Sequence, residues 1–259
     1  MRSSPASTPA SRPAGVAPPR LPPEALHPAL WLAHQVSRQV DRALPSGFAA
    51  LDAQLPGGGW PRRALSELLL PHAGVGEMRL LAPALVGIQR QRRLVMLFDP
   101  PADLCAGSLA QFGFDVEQLL VIHTCCGAGR GGDLWALEQA LKSGHVGAVL
   151  AWLPPRLPPE RLRRLQLAAQ VHNGPAFVLR EMAASARPSA AALRLALRAG
   201  GADMLSVRLL KRRGPPLETP LRLALPPILS ATARQRARAG VLDPVALQQA
   251  TFVDLAALA

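Results

Sequence analysis

No apolar run in this sequence approaches the ~20 residues that cross a bilayer as a helix; the long stretch 146–153 stops at a proline pair. No membrane-spanning helix is therefore expected. The first residues, MRSSPASTPASRPAG, carry arginine but lack the apolar centre of a secretory signal. Their Pro, Ala and Ser content reads instead as a disordered leader over 1–24, and the cytoplasm is the expected compartment. Cysteine is scarce: Cys105, Cys125 and Cys126 are odd in number, and the adjacent pair lacks the C-x-x-C spacing of a redox or zinc site. His27, His72, His123, His145 and His172 show no metal-ligand spacing, and no G-x-S-x-G or H-E-x-x-H motif supports hydrolysis. Neither a metal nor a nucleophile is expected, and no internal repeat is present.

What the chain has is apolar content and positive charge. With 259 residues, 49% of them hydrophobic, it can bury one sizeable core. The formal net charge of +12 favours a polyanion or an acidic partner, with nucleic acid as the first candidate. Lys142 and Lys211 are the only lysines, however, and GC-rich coding alone would produce such an arginine bias.

The pattern along the chain is that of alternating strands and helices. A helix is expected over 25–43, with Leu26, Leu30, Ala33 and Val40 on one face and Trp31 beside it. Turns around Pro45, Gly47, Pro56 and Gly57 then flank a short segment, 48–55. From there strands are expected at Leu65–Leu70, Leu94–Phe98, 119–123, 146–153 and 176–180. Helices alternate with them at 77–91, 106–112, 133–143 and Pro159–Val171. Continuous apolar strands of this kind suit a parallel sheet covered on both faces. The segments 193–197, 205–209 and 221–225 alternate with period two, so they are expected to extend the sheet antiparallel. The expected organisation is a leader (1–24), a helix (25–43), a core (44–227) and a basic tail with a short helix (228–259).

A strand ending at Leu70, followed by PHAGVGEMR and a helix, stands where an α/β nucleotide-binding domain carries its phosphate loop. A working loop reads G-x-x-x-x-G-K-[ST], with lysine for the outer phosphates and a hydroxyl for magnesium. Here the loop contains Pro71, Gly74 and Gly76 but continues with Glu77 and Met78. A carboxylate in the lysine position repels triphosphate, and a thioether is no ligand for a hard cation. The free amides at the helix start still favour an anion.

LPSGFAALD at 44–52, GGGWP at 57–61 and SEL at 66–68 together resemble the entry to the RecA recombinase core. The resemblance continues through LFD at 97–99, FGFDVEQLL at 112–120 and ALKSG at 140–144. Within that superfamily the chain most closely resembles the ImuA family, also catalogued as SulA-like. That likeness rests on HPALW at 27–31, LPGGGW at 55–60, AVLAWLP at 148–154, RRLQL at 163–167 and LKRRGP at 210–215. It implies an α/β, RecA-like core of the phosphate-loop type, mainly a parallel sheet flanked by helices with antiparallel strands at the C-terminal end. Carried over residue by residue, the magnesium-linked acid falls at Trp152, the water-activating glutamate at Pro101, and the γ-phosphate sensor at Arg180. None of the three keeps the recombinase residue, so no catalytic residue, cofactor or enzyme activity is expected; Asp99 remains as a nearby acid.

The ImuA resemblance further implies an accessory role in SOS-induced translesion synthesis. Its partners would be an inactive Y-family polymerase-like protein (ImuB-type) and an error-prone replicative-type polymerase α subunit. RecA and single-stranded DNA are further candidates, and the site of action would be the nucleoid during DNA damage. The residues proposed for nucleic-acid or partner contact are Arg208, Lys211, Arg212 and Arg213, with Arg180, Trp31 and the loop 181–192. For Lys211–Arg213 phosphate contact and a solvated hairpin stand as equals. For Arg161, Arg163 and Arg164 an ordinary wet helix face is the simpler reading, and Trp60 is expected to pack locally. Two alternatives remain: a divergent RecA-like ATPase, and a SulA-like inhibitor of cell division.

Overall fold

The computed structural model describes residues 43–124, 131–214, 217, 219–228, 232 and 235. The expected leader, the helix at 25–43 with Trp31, Cys125 and Cys126, and most of the basic tail lie outside them. Among the described residues the chain forms α1 (Ala49–Asp52), β1 (Leu65–Leu70), α2 (Glu77–Gln89), β2 (Leu94–Phe98) and α3 (Ala106–Gln111). It continues through β3 (Leu119–Ile122), α4 (Gly131–Ser143), β4 (Val146–Trp152), α5 (Pro159–Val171) and β5 (Ala176–Glu181). The last elements are β6 (Leu193–Gly201), β7 (Met204–Lys211) and β8 (Leu221–Ala224).

The strands make one eight-stranded sheet in the order β3-β2-β4-β5-β1-β6-β7-β8. The run from β3 to β6 is parallel throughout, and β7 runs antiparallel to both β6 and β8. The expectation that all three period-two segments join antiparallel is thus corrected for the first: Ser66 of β1 aligns with Leu193 of β6 in a parallel pair. The alternating pattern reports only which faces are wet; direction is set by the connection, and the segment between β5 and β6 is long enough to bring the chain back to the starting edge.

Two apolar layers enclose the sheet. On one face Leu80, Leu81, Leu85 and Ile88 of α2 pack with Leu51, Trp60, Leu68, Leu150 and Phe177. On the other, Leu137 and Leu141 of α4 and Leu162 and Leu165 of α5 pack with Phe98, Val149 and Val178. Burial from both sides is why β4 carries no charged residue and β1 only Glu67. The entry segment closes the first layer. Leu44 and Trp60 exchange backbone hydrogen bonds of 2.9 and 2.6 Å, and the fully buried Trp60 ring meets Phe177 edge-on at 5.1 Å. Gly47, at φ +86°, lies so close to Pro83 of α2 that a Cβ there would come within 2.5 Å of the proline Cβ. Trp60 is therefore a core residue.

Candidate functional site

β1 sits where the connections of the sheet change direction: the chain leaves it toward β2 on one side, and the segment after β5 crosses to β6 on the other. In open α/β sheets the crevice beyond the carboxyl ends of the strands at such a point is where ligands bind. The loop after β1 reaches this crevice, and Gly76, at φ +121°, turns it into α2 as the N-cap residue. A left-handed backbone of this kind favours glycine, and a Cβ at Gly76 would also press to 2.9 Å from Leu225.

Two of the loop amides are already taken. The Glu77 carboxylate accepts from Gly74 N at 2.8 Å and from Gly76 N at 3.0 Å, one oxygen to each. Glu77 is buried and stands in the first turn of α2, where a negative charge is favoured by the helix dipole. The chain thus supplies its own anion to the nest of N–H groups that a phosphate would need. Arg79 points away from the loop: its guanidinium donates to Pro226 O and pairs with Asp203 at 2.6 Å, fastening α2 to the β6–β7 turn. Met78 packs on the apolar layer.

The other positions expected from the recombinase resemblance are Trp152, Pro101 and the nearby Asp99. Trp152 ends β4 half-buried, and its indole N–H has no hydrogen-bond partner. Pro101 is exposed just beyond β2. Asp99, at φ +49°, accepts from Thr124 N at 2.7 Å and from Thr124 Oγ1 at 2.8 Å, so both carboxylate oxygens fasten the exit of β3. A magnesium triphosphate does not fit this donor set: a carboxylate already holds the amides of Gly74 and Gly76, and Met78 and Trp152 offer no hard oxygen.

Arg180 is not a surface cation. It lies buried at the end of β5 and pairs with Glu67 of β1 at 2.8 Å, while Arg194 of β6 holds the other Glu67 oxygen at 2.6 Å. Arg180 also donates to Pro154 O at 3.3 Å and to Pro155 O at 2.7 Å. The sequence reading did not find this triad. Its signal is a charged residue of the parity that faces α5 within the apolar run of each of three neighbouring strands: Glu67, Arg180 and Arg194.

The basic residues at the end of β7 and just beyond it are divided. Lys211 donates to Ser189 O at 3.0 Å, and Arg212 donates to the backbone and side chain of Gln54. Arg208 and Arg213 are exposed. The loop 181–192 contains a 3₁₀ turn, Met182–Ala186. Arg164 pairs with Glu138 of α4 at 2.9 Å with its own side chain 55% exposed, which suits a wet helix face. Among the described residues no group of three or more His, Cys, Asp or Glu is placed to hold a metal ion, and no helix is long and apolar enough to cross a membrane.

The site defines an α/β sheet protein whose β1–α2 loop is closed by its own carboxylate. Residues 65–176, from the start of β1 to the start of β5, match the family model described as cell division inhibitor SulA. A cell division inhibitor SulA of Serratia marcescens is 28% identical over 116 residues, covering 45% of this chain and 67% of the relative. That of Yersinia pestis (strain Pestoides F) is 30% identical over 104 residues, covering 40% and 60%. That of Pectobacterium carotovorum subsp. carotovorum (strain PC1) is 32% identical over 104 residues, covering 39% and 58%. The chain thus spans about 60% of the length of the last two relatives, and it is SulA-like over its centre. The family match contains Glu77 and Trp152 but leaves out the entry segment, Arg180, Arg194 and β6 to β8. The motifs at 27–31, 55–60 and 210–215, on which the ImuA resemblance partly rests, also lie beyond it.

Proposed function

We propose that the protein is a non-catalytic accessory of SOS-induced translesion DNA synthesis, of the ImuA type, built on a RecA-like core whose nucleotide site is closed. The observation that carries this reading is the Glu77 carboxylate on the amides of Gly74 and Gly76. A nucleotide-binding arrangement of strand, glycine loop and helix is kept, and its ligand is replaced by a side chain. Such a core has surfaces to offer and no turnover. The eight strands, with a loop-bearing β1 at the switch point and an antiparallel extension after β6, support the RecA-like part. The motifs outside 65–176 support the ImuA part. In this reading the chain acts in the cytoplasm at damaged DNA, joining a polymerase-like partner and an error-prone polymerase α subunit, with RecA or single-stranded DNA as further contacts.

The family match over 65–176 favours a second reading, direct inhibition of cell division. One experiment separates them. Deleting the gene from the bacterium that encodes it removes ultraviolet-induced mutation on the first reading, and overexpression leaves cell length unchanged. Filamentation on overexpression, with induced mutation intact in the deletion strain, would favour the second and overturn the first.

A further inference from the structure

The loop after β4 and the loop after β5 enclose a cavity of about 250 Å3 at the carboxyl edge of the sheet. Arg156, Arg180 and Arg187 line it, with Leu157, Pro158 and Leu162. Arg156 and Arg187 are exposed at the mouth, whereas the Arg180 side chain is 3% exposed. Both mouth arginines sit in stiff chain: Arg156 lies between proline pairs and Arg187 precedes Pro188.

The charges beneath the cavity do not balance. Glu67 is shared by Arg180 and Arg194, two cations against one anion, which leaves +1 in a site where the Arg194 side chain is only 10% exposed. Among the described residues no second carboxylate lies within ion-pair distance of either arginine. An uncompensated buried charge is costly, and here Arg180 lines the cavity. A guanidinium has five N–H groups. Arg180 directs one to Glu67, one to Pro154 O and one to Pro155 O, so two remain. Arg156 and Arg187 add two more cations, and Pro158, the N-cap residue of α5, brings the positive end of that helix dipole to the wall.

We propose that this cavity is a binding site for a phosphate group, held by Arg156 and Arg187 from the mouth and by Arg180 from the floor. Converging guanidinium groups match phosphate oxygens in geometry and charge. The volume lies below the ~300–1,000 Å3 of pockets that hold whole small molecules, so the site takes the phosphate and leaves the rest of the ligand outside. The source is either free phosphate or a backbone phosphate of single-stranded DNA. The proposal deepens the single-stranded DNA contact of the accessory reading, but it rests on the cavity itself, which lies apart from the β1–α2 loop.

The test uses the full chain with two probes, inorganic phosphate and a short oligothymidylate, each titrated over a salt series. Three proteins are compared: the wild type, R156A/R187A, and R90A/R198A, which loses the same charge elsewhere on the surface. All four substituted arginines are exposed, so the variants are expected to keep the wild-type melting temperature. The site predicts binding of at least one probe that weakens about tenfold for each cavity arginine removed and is preserved in R90A/R198A. Oligothymidylate binding with a salt slope reduced by about 0.7 per cavity arginine identifies backbone phosphate; phosphate binding without oligothymidylate binding identifies the free ion. Absence of binding by both probes, or equal weakening in the two variants, overturns the proposal. Neither outcome bears on induced mutation, so its failure is distinguishable from that of the accessory reading.

Discussion

Glu67 and Glu77 show how the same side chain does opposite work a few residues apart. Glu77 sits at a helix start, where backbone N–H groups and the dipole hold its charge without any cation. Glu67 is fully buried in the middle of β1 and is held by two guanidinium groups from the flanking strands. Replacing a buried pair by apolar residues is often neutral, whereas removing one partner strands the others. Glu67→Gln leaves Arg180 and Arg194 both without a counter-charge, and it is expected to cost about 3–5 kcal/mol of stability, read from the urea midpoint. A midpoint unchanged from wild type would show that the triad is not held as described. The sequence reading placed Arg180 at the end of its strand and offered it for nucleic-acid or partner contact, without its pairing to Glu67. It did so because a guanidinium is usually exposed, and its partner, Glu67, lies 113 positions away in the chain.

At the scale of elements, the strands and helices of the core were legible in the sequence because burial on both faces leaves an unbroken apolar signature, as in Val146–Trp152. Direction within the sheet was not, since period two marks β6 and β7 alike while only β7 is antiparallel. The expected turns around 48–55 conceal a short helix, α1, that brings Leu51 into the core. The junction after α5 carries a pH dependence. His172, its C-cap residue, is fully buried, and burial together with the nearby Arg93 charge lowers its pKa from 6.5 to about 4. The folded state therefore disfavours the protonated ring, while the unfolded chain takes a proton near pH 6.5. This contribution to stability is present above pH 6.5, falls as the pH drops from 6.5 toward 4, and is level below that. Urea unfolding at a series of pH values checks this, most clearly above pH ~5, where carboxylates remain ionised; a flat stability between 6.5 and 5 would contradict it.

For the whole molecule, the sheet brings three loops to one edge: the β1–α2 loop closed by Glu77, the proline-rich loop after β4, and the loop after β5. The position of the first was readable from strand, glycines and helix. The reason it rejects a nucleotide was only partly so. Sequence alone suggested repulsion, whereas the structure adds occupation, because the carboxylate folds back on the amides of Gly74 and Gly76. The central claim is that this loop takes no nucleotide, and the most direct measurement is a calorimetric titration of R156A/R187A with ATP, with and without magnesium, so that the arginine cavity cannot contribute. The account predicts no magnesium-dependent binding in the micromolar range. Magnesium-dependent ATP binding that survives in this variant would contradict it and return the loop to the class of working nucleotide sites.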